Sequence, residues 1–251
     1  MVDEDFMKKL NQMVFKAFFP IMMFYNLYDK DDNTILDVQL VVVGVVSVIV
    51  FVVLLFFIVP RFVKENKKRG VIIQGIYRSN FVLFAMPLTE SIFGEEGRAI
   101  AAMMVAIIIP IYNVAAVIIL EYFRGGKPKV FDLLKKIITN PMIAGVLVGL
   151  VFVGLGIKIP SCLEKPISQF SALSTPLALF VLGGTLHFSS IKKNLKYIVP
   201  TLSTKMIIVP IFAVILTLVL DFEPLERFIY LTMFATPIAA SSYPMACKFT
   251  S

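Results

Sequence analysis

The sequence predicts an all-α polytopic membrane protein, and three observations lead to that fold class. Of the 251 residues, 58% are hydrophobic and only 16% are charged, and the mean hydropathy is +0.87. A water-soluble domain carries more charge on its surface. Eight segments are apolar enough and long enough to cross a bilayer core, which takes roughly 20 residues of helix. The lysines and arginines between these segments are concentrated in alternate loops, as in other membrane proteins.

Each of the eight segments is predicted to form one transmembrane helix. In chain order they are Leu10–Tyr28, Val38–Pro60, Gly70–Thr89, Ala99–Leu120, Ile137–Ile157, Ile167–Phe188, Tyr197–Leu220 and Phe228–Cys247. Three of them contain a charge, at Lys16, Arg78 and Lys205. Lys16 and Lys205 lie near a helix end, so both are expected to reach the membrane surface as anchors. Gly145 and Gly149 give the fifth helix a small face for close packing, within the protein or in a homodimer.

The loops between the helices predict an orientation. Thirteen lysines and arginines fall in one set of alternate loops and five fall in the other. Because basic loops stay in the cytoplasm, the richer set and both ends of the chain are predicted to be cytoplasmic, in the plasma membrane. This placement accounts for the net charge of +7 without a nucleic-acid partner. It also puts Cys162 outside and Cys247 near the inner face, too far apart for a disulfide.

Two short sequence matches indicate an internal repeat. FAMPLT at Phe84–Thr89 is echoed by FATPIA at Phe234–Ala239, and PIMMF at Pro20–Phe24 resembles PLALF at Pro176–Phe180. The offsets are 150 and 156 residues, and each steps five helices along the chain. An odd step reverses the direction of travel, so the halves would be inverted repeats, as in many secondary transporters. The alternative is that proline and phenylalanine recur by chance in such apolar sequence.

The repeat predicts a single transmembrane transport domain over residues 1–251. The helices of the first repeat would lie in 10–120 and those of the second in 137–247. A five-helix unit gives ten helices, so eight would leave the first and the last missing. We therefore expect this sequence to be a fragment of a longer carrier.

Three stretches of sequence have a more specific character. They are Gln74–Asn80 (QGIYRSN) running into Phe84–Leu88, Leu10–Phe15 (LNQMVF) followed by Pro20, and Pro237–Ala246 (PIAASSYPMA). Together they resemble the auxin efflux carrier family, which includes PIN-like carriers and bacterial and archaeal malate or malonate permeases. The resemblance implies ten helices in two inverted five-helix repeats, with the fourth and ninth helices broken and crossing at the substrate site. Here those helices would be Gly70–Thr89 and Phe228–Cys247.

Prolines inside these two helices indicate a polar cavity. A proline removes a backbone donor and frees carbonyls, which persist inside a bilayer only beside protein or water. Breaks are therefore predicted at Pro87 and from Pro237 to Pro244, and helix halves that begin at such breaks favour an anion. Asn80 lies about 15 Å along the helix from Gly70, roughly in mid-membrane, and is suited to hydrogen-bond a carboxylate.

The predicted substrate-binding residues are Asn80, Arg78, Ser79, Pro87, Pro237, Ser241, Ser242 and Pro244. Each main candidate has a structural alternative. In the structural alternative for Asn80, the side chain caps the backbone or bridges two helices and does not bind substrate. Arg78 would instead reach the membrane surface or pair with a glutamate. The two serines would instead only allow close packing.

The sequence contains no HExxH, P-loop or CxxC pattern, and its one histidine cannot build a metal cluster. No enzymatic activity, cofactor or metal is therefore predicted. The predicted function is secondary transport of a small organic anion, such as a carboxylate, by alternating access. The predicted partners are that anion and the lipid bilayer. A passive channel or an inactive truncated fragment is the alternative.

Overall fold

The computed structural model describes residues 4–28, 37–125, 131, 135, 137–185 and 188–250, and these are helical almost throughout. The helices are α1 (Glu4–Met13), α2 (Phe19–Tyr28), α3 (Val38–Phe62), α4 (Asn66–Tyr77), α5 (Phe81–Phe123), α6 (Pro141–Gly154), α7 (Ser161–Gly184), α8 (Phe188–Ser203), α9 (Val209–Val219), α10 (Pro224–Ala235) and α11 (Ser242–Thr250). Within the described ranges one isolated bridge is the sole β-type pairing. The all-α class is confirmed.

Four helical stretches in the described part of the chain are long and apolar enough to cross a membrane. They are Val38–Phe62, Pro87–Phe123, Ser161–Gly184 and Lys192–Val219, and Pro141–Gly154 is a shorter apolar helix. Helix α3 shows why lipid must surround the protein, because apolar side chains such as Val42, Val46 and Ile49 lie on its exposed surface. The chain is an integral, multi-pass membrane protein.

Two of the predicted helices contain a five-residue π-helical turn. Val14–Phe18 joins α1 to α2, and Thr204–Ile208 joins α8 to α9. The backbone stays right-handed where each turn begins, with φ −65° and ψ −46° at Met13 and φ −61° and ψ −43° at Ser203. Each π turn therefore adds a residue to a continuous helix and shifts the face on which the following side chains lie.

The third predicted helix is broken, but the break is not at Pro87. Helix α4 ends at Tyr77, Arg78 is extended with φ −85° and ψ 117°, and α5 begins at Phe81 and continues past Pro87. The predicted break at Pro87 is therefore wrong by about seven residues. One proline within a helix costs a single backbone hydrogen bond, and membrane helices tolerate that loss.

Helix α5 reverses direction at Gly94, whose φ of 71° and ψ of −158° are not helical. The reversal brings the two parts of α5 against each other, and Arg98 Nη1 lies 3.5 Å from Glu90 Oε1. A glycine is required here because side chains strongly disfavour positive φ. The predicted helix Ala99–Leu120 follows this turn and is confirmed as helical.

The chain folds as two compact units, and neither unit is continuous in the sequence. The first unit contains Met1–Lys30, Lys127–His187 and Ala240–Ser251, and the second contains Asp31–Gly126 and Phe188–Ala239. Each unit therefore combines stretches from both halves of the sequence.

In the first unit, α2 packs tightly against α6. A Cβ atom on Gly145 would lie 2.2 Å from the carbonyl oxygen of Pro20, and one on Gly149 would lie 3.0 Å from Leu27 Cβ. Only glycine fits at position 145, and any larger residue at position 149 would require Leu27 to shift. The close-packing role predicted for these two residues is therefore confirmed within the protein. From α7, Ser174 Oγ donates to the Phe18 carbonyl at 2.9 Å.

Candidate functional site

The two helix breaks meet within the second unit. The Asn80 N–H donates to the Pro237 carbonyl at 2.7 Å, and Ser79 and Ile238 form an isolated antiparallel bridge. The first break covers Arg78–Asn80, and the second begins at Thr236, where the backbone is extended with φ −74° and ψ 155°. The breaks in the two helices thus pair through their backbones, as the prediction of crossing broken helices requires.

Helix α10 loses a backbone donor at its end, and a tyrosine replaces it. In an unbroken helix the Met233 carbonyl would accept from the N–H of residue 237, but that residue is Pro237 and has no N–H. The Tyr112 hydroxyl donates to the Met233 carbonyl instead, at 3.0 Å. A buried carbonyl that the sequence leaves without its helical partner is thereby satisfied.

Tyr112 is itself held by Tyr77, the last residue of α4. The Tyr77 hydroxyl donates to the Tyr112 carbonyl at 3.0 Å, and the two ring centroids lie 5.7 Å apart. Both side chains are fully buried. The chain of contacts from α4 through α5 to α10 fixes the geometry of the crossing.

Lys205 is the main residue of this site that the sequence interpretation missed. It lies in the π turn Thr204–Ile208 and is 0% exposed, and its ammonium donates to the Ser79 hydroxyl inside the first break. No carboxylate among the described residues forms an ion pair with it. The predicted anchor role is wrong, because this side chain turns toward the break and not toward the membrane surface. The signal was a lysine within an apolar segment, which favours a functional role.

Arg78 is also buried at the crossing. It is 2% exposed, and its Nη2 donates to the side-chain oxygen of Asn113 at 2.5 Å. The alternative in which Arg78 reaches the membrane surface is therefore wrong. The sequence interpretation did not single out Asn113, although an amide within the apolar segment Ala99–Leu120 was a signal that could have identified it.

The side chain of Asn80 is half-buried and, unlike Arg78 and Lys205, is not used to hold the crossing together. Asn80 precedes the first residue of α5, yet its side chain makes no capping hydrogen bond. The side-chain amide of Asn80 also forms no hydrogen bond with another residue in the part of the chain that the structure describes. The first N–H groups of α5 begin at the same place, and they add partial positive charge. A carboxylate at this point would find an amide donor and a helix amino terminus together.

The other predicted site residues lie at different distances along the chain from the two breaks. Pro237 lies in the second break, whereas Pro87 lies on the exposed surface of α5. Ser241 and Ser242 are buried and belong with Pro244 to the first unit. The predicted break does not extend to Pro244, because this proline lies in the first turn of α11, where the missing N–H is not needed. Substrate contact by these residues stays a prediction.

No described group of three histidine, cysteine, aspartate or glutamate side chains could hold a metal ion. The described site therefore consists of a buried ammonium, a guanidinium, an amide and the backbone of two breaks. These groups suit the binding of an anion by charge and hydrogen bonds.

An all-helical membrane protein in which two broken helices meet beside buried cations has the architecture of a membrane transporter. A family model described as membrane transport protein matches residues 1–250. The chain belongs to this family, the auxin efflux carrier or PIN-like family. A comparison with curated proteins found no match.

Proposed function

We propose that the chain forms the transport domain of a secondary carrier for a small organic anion, such as a carboxylate. The observation that carries the proposal is the buried Lys205 ammonium at the Ser79 hydroxyl, inside the first helix break. A charge removed from water is costly unless an opposite charge offsets it. An anionic substrate would supply that charge in each transport cycle.

Two neighbouring groups support the same substrate class. The Asn80 side-chain amide makes no capping hydrogen bond and would donate to a carboxylate oxygen. The amino terminus of α5 contributes partial positive charge that favours an anion. Both groups would recognise the carboxylate that such substrates share.

Alternating access is the proposed mechanism. Secondary carriers of this kind expose one binding site at broken helices to the two sides of the membrane in turn, and the broken helices that meet in the second unit would provide such a site. We place the protein in the plasma membrane with both ends of the chain in the cytoplasm, because the basic loops lie on that side by the positive-inside rule. We propose that the protein is a carrier and not an enzyme.

Flux measurements in proteoliposomes test this proposal. Purified protein is reconstituted, and uptake of labelled dicarboxylates and monocarboxylates is measured over a range of concentrations. A carrier gives saturable uptake that is accelerated when unlabelled anion is loaded inside the vesicles. Current proportional to voltage, without such counterflow, would indicate a passive channel and contradict the proposal. The absence of any flux across the panel would equally contradict it for this chain.

A further inference from the structure

A groove of about 780 Å³ lies between α3, α4 and α8, in the second unit. Its walls are mostly apolar, and its mouth is charged. The apolar walls include Leu55, Val59 and Phe62 of α3, Ile72 and Ile76 of α4, and Pro200 of α8. Lys64, Glu65, Lys196 and Tyr197 line the mouth. The volume is in the range of sites that hold small organic molecules.

The groove follows the polarity of a bilayer from its core to its surface. Helix α3 is the most apolar candidate span and ends at Phe62. The part of α3 from Leu55 to Phe62 rises about 10 Å, so the apolar walls lie at the depth of acyl chains. Tyr197 and the lysines lie beyond the end of this span, at the depth of headgroups, where tyrosine and lysine are enriched.

The mouth of the groove carries excess positive charge. Lys68 Nζ lies 2.7 Å from Glu65 Oε1, and the hydrogen bond from Lys68 holds the pKa of that carboxyl below its usual range. Glu65 and Lys68 therefore neutralise each other. Lys64 and Lys196 form no ion pair with a carboxylate in 37–125 or 188–250.

Tyr197 organises the mouth. Its hydroxyl donates to Glu65 Oε1 at 3.3 Å. Lys68 Nζ and Lys196 Nζ lie 4.7 Å and 5.0 Å from the centre of its ring. Attraction between a cation and the ring face holds an ammonium near its position. Lys64 and Lys196, which form no ion pair with a carboxylate in the described part of the second unit, thus lie at the end of an apolar groove.

We propose that this groove binds an anionic phospholipid, with the acyl chain along the apolar walls and the phosphate between Lys64 and Lys196. The charge of the mouth matches a phosphate, and the walls match an acyl chain at the same depth in the bilayer. Basic pockets between transmembrane helices recognise lipid headgroups in this way. A small water-soluble anion would use the mouth but would gain nothing from the walls.

Native mass spectrometry of the purified full chain tests the lipid site. Phosphatidylglycerol is compared with phosphatidylcholine of the same chain length, and we expect preferential retention of phosphatidylglycerol. The double variant Lys64→Gln with Lys196→Gln should lower the affinity for phosphatidylglycerol about tenfold, because each lysine contributes to headgroup attraction. The matched control is Lys192→Gln with Lys193→Gln, which removes the same charge from exposed positions of α8 and should leave the affinity unchanged.

Glycerol 1-phosphate, which carries the phosphate without acyl chains, separates a lipid from a free phosphate compound. We expect it not to compete with phosphatidylglycerol at equal concentration. Equal retention of the two lipids, equal effects of the two double variants, or full competition by glycerol 1-phosphate would each overturn the proposal.

Discussion

Asn80 is the side chain at the crossing that we propose touches the substrate. Its amide makes no capping bond, so removing it costs the folded protein little. We predict that Asn80→Ala lowers the apparent substrate affinity about tenfold or more, since a hydrogen bond to a charged group contributes about 1.5–3 kcal/mol. Concentration-dependent uptake in proteoliposomes measures the affinity, and thermal unfolding should be unchanged. Normal affinity in the variant would show that Asn80 is structural.

Lys205 offers a test with an internal control. Lys16 and Lys205 both lie in five-residue π turns, but Lys16 is exposed and Lys205 is fully buried. We predict that Lys205→Met abolishes saturable uptake, because the counter-charge for the anion is lost, and that Lys16→Met retains it. Initial rates at equal amounts of folded protein make the comparison. Transport by Lys205→Met at the rate of the unaltered protein would contradict the role of the ammonium.

The sequence identified some residues of the crossing and could not identify others. Asn80 was recognised by its place in the QGIYRSN stretch, and Arg78 by the cost of a charge in the membrane. Lys205 was misinterpreted because its partner, Ser79, is 126 residues away. The π turn that contains Lys205 also changes which side chains share a face, and an apolar segment gives no pattern from which that turn could be read.

Among the helices, the position of the first break shows where pattern and packing differ. The prolines correctly marked both broken helices, but Pro87 lies inside α5 and the chain leaves the helix at Arg78–Asn80. A proline removes a single donor wherever it occurs. The actual break is fixed by pairing with Pro237 and Ile238. That tertiary contact cannot be predicted from the residues around the break.

The hydroxyl of Tyr112 supports the end of α10, and its removal should weaken the fold. Tyr112→Phe leaves the Met233 carbonyl without the donor that replaces the missing N–H of Pro237. An unsatisfied buried carbonyl costs about 1–3 kcal/mol, so we predict a lower unfolding temperature. Tyr122→Phe is the matched control, because Tyr122 lies on the same helix and is 41% exposed. Equal unfolding temperatures for the two variants would contradict the role of Tyr112.

For the whole molecule, the two cysteines allow the proposed orientation to be measured without introducing new cysteines. Cys162 is exposed, and it is proposed to lie on the outer side, with Cys247 toward the inner side. We predict that a membrane-impermeant maleimide applied to intact cells modifies the protein and that Cys162→Ser abolishes this modification. Labelling that survives in Cys162→Ser would place Cys247 outside and reverse the orientation.

The architecture of the whole was largely predictable, because helix positions follow from apolar length alone. The eight apolar segments are helical over most of their described residues. The two compact units were not predicted, because they do not coincide with the two halves of the sequence. The relation between the halves as inverted repeats stays a prediction.

The make-up of the first unit also has a consequence for biosynthesis. Met1–Lys30 and Ala240–Ser251 belong to the same unit, and a ribosome delivers the chain from its amino end. Helix α2 is therefore inserted before α6, whose glycines complete its packing. The first unit is not fully assembled until the residues from 240 onward have been synthesised. A nascent chain from which Tyr112 has emerged but α6 has not would contain both tyrosines of the Tyr77–Tyr112 pair, and its α2 would still face lipid or an insertion factor.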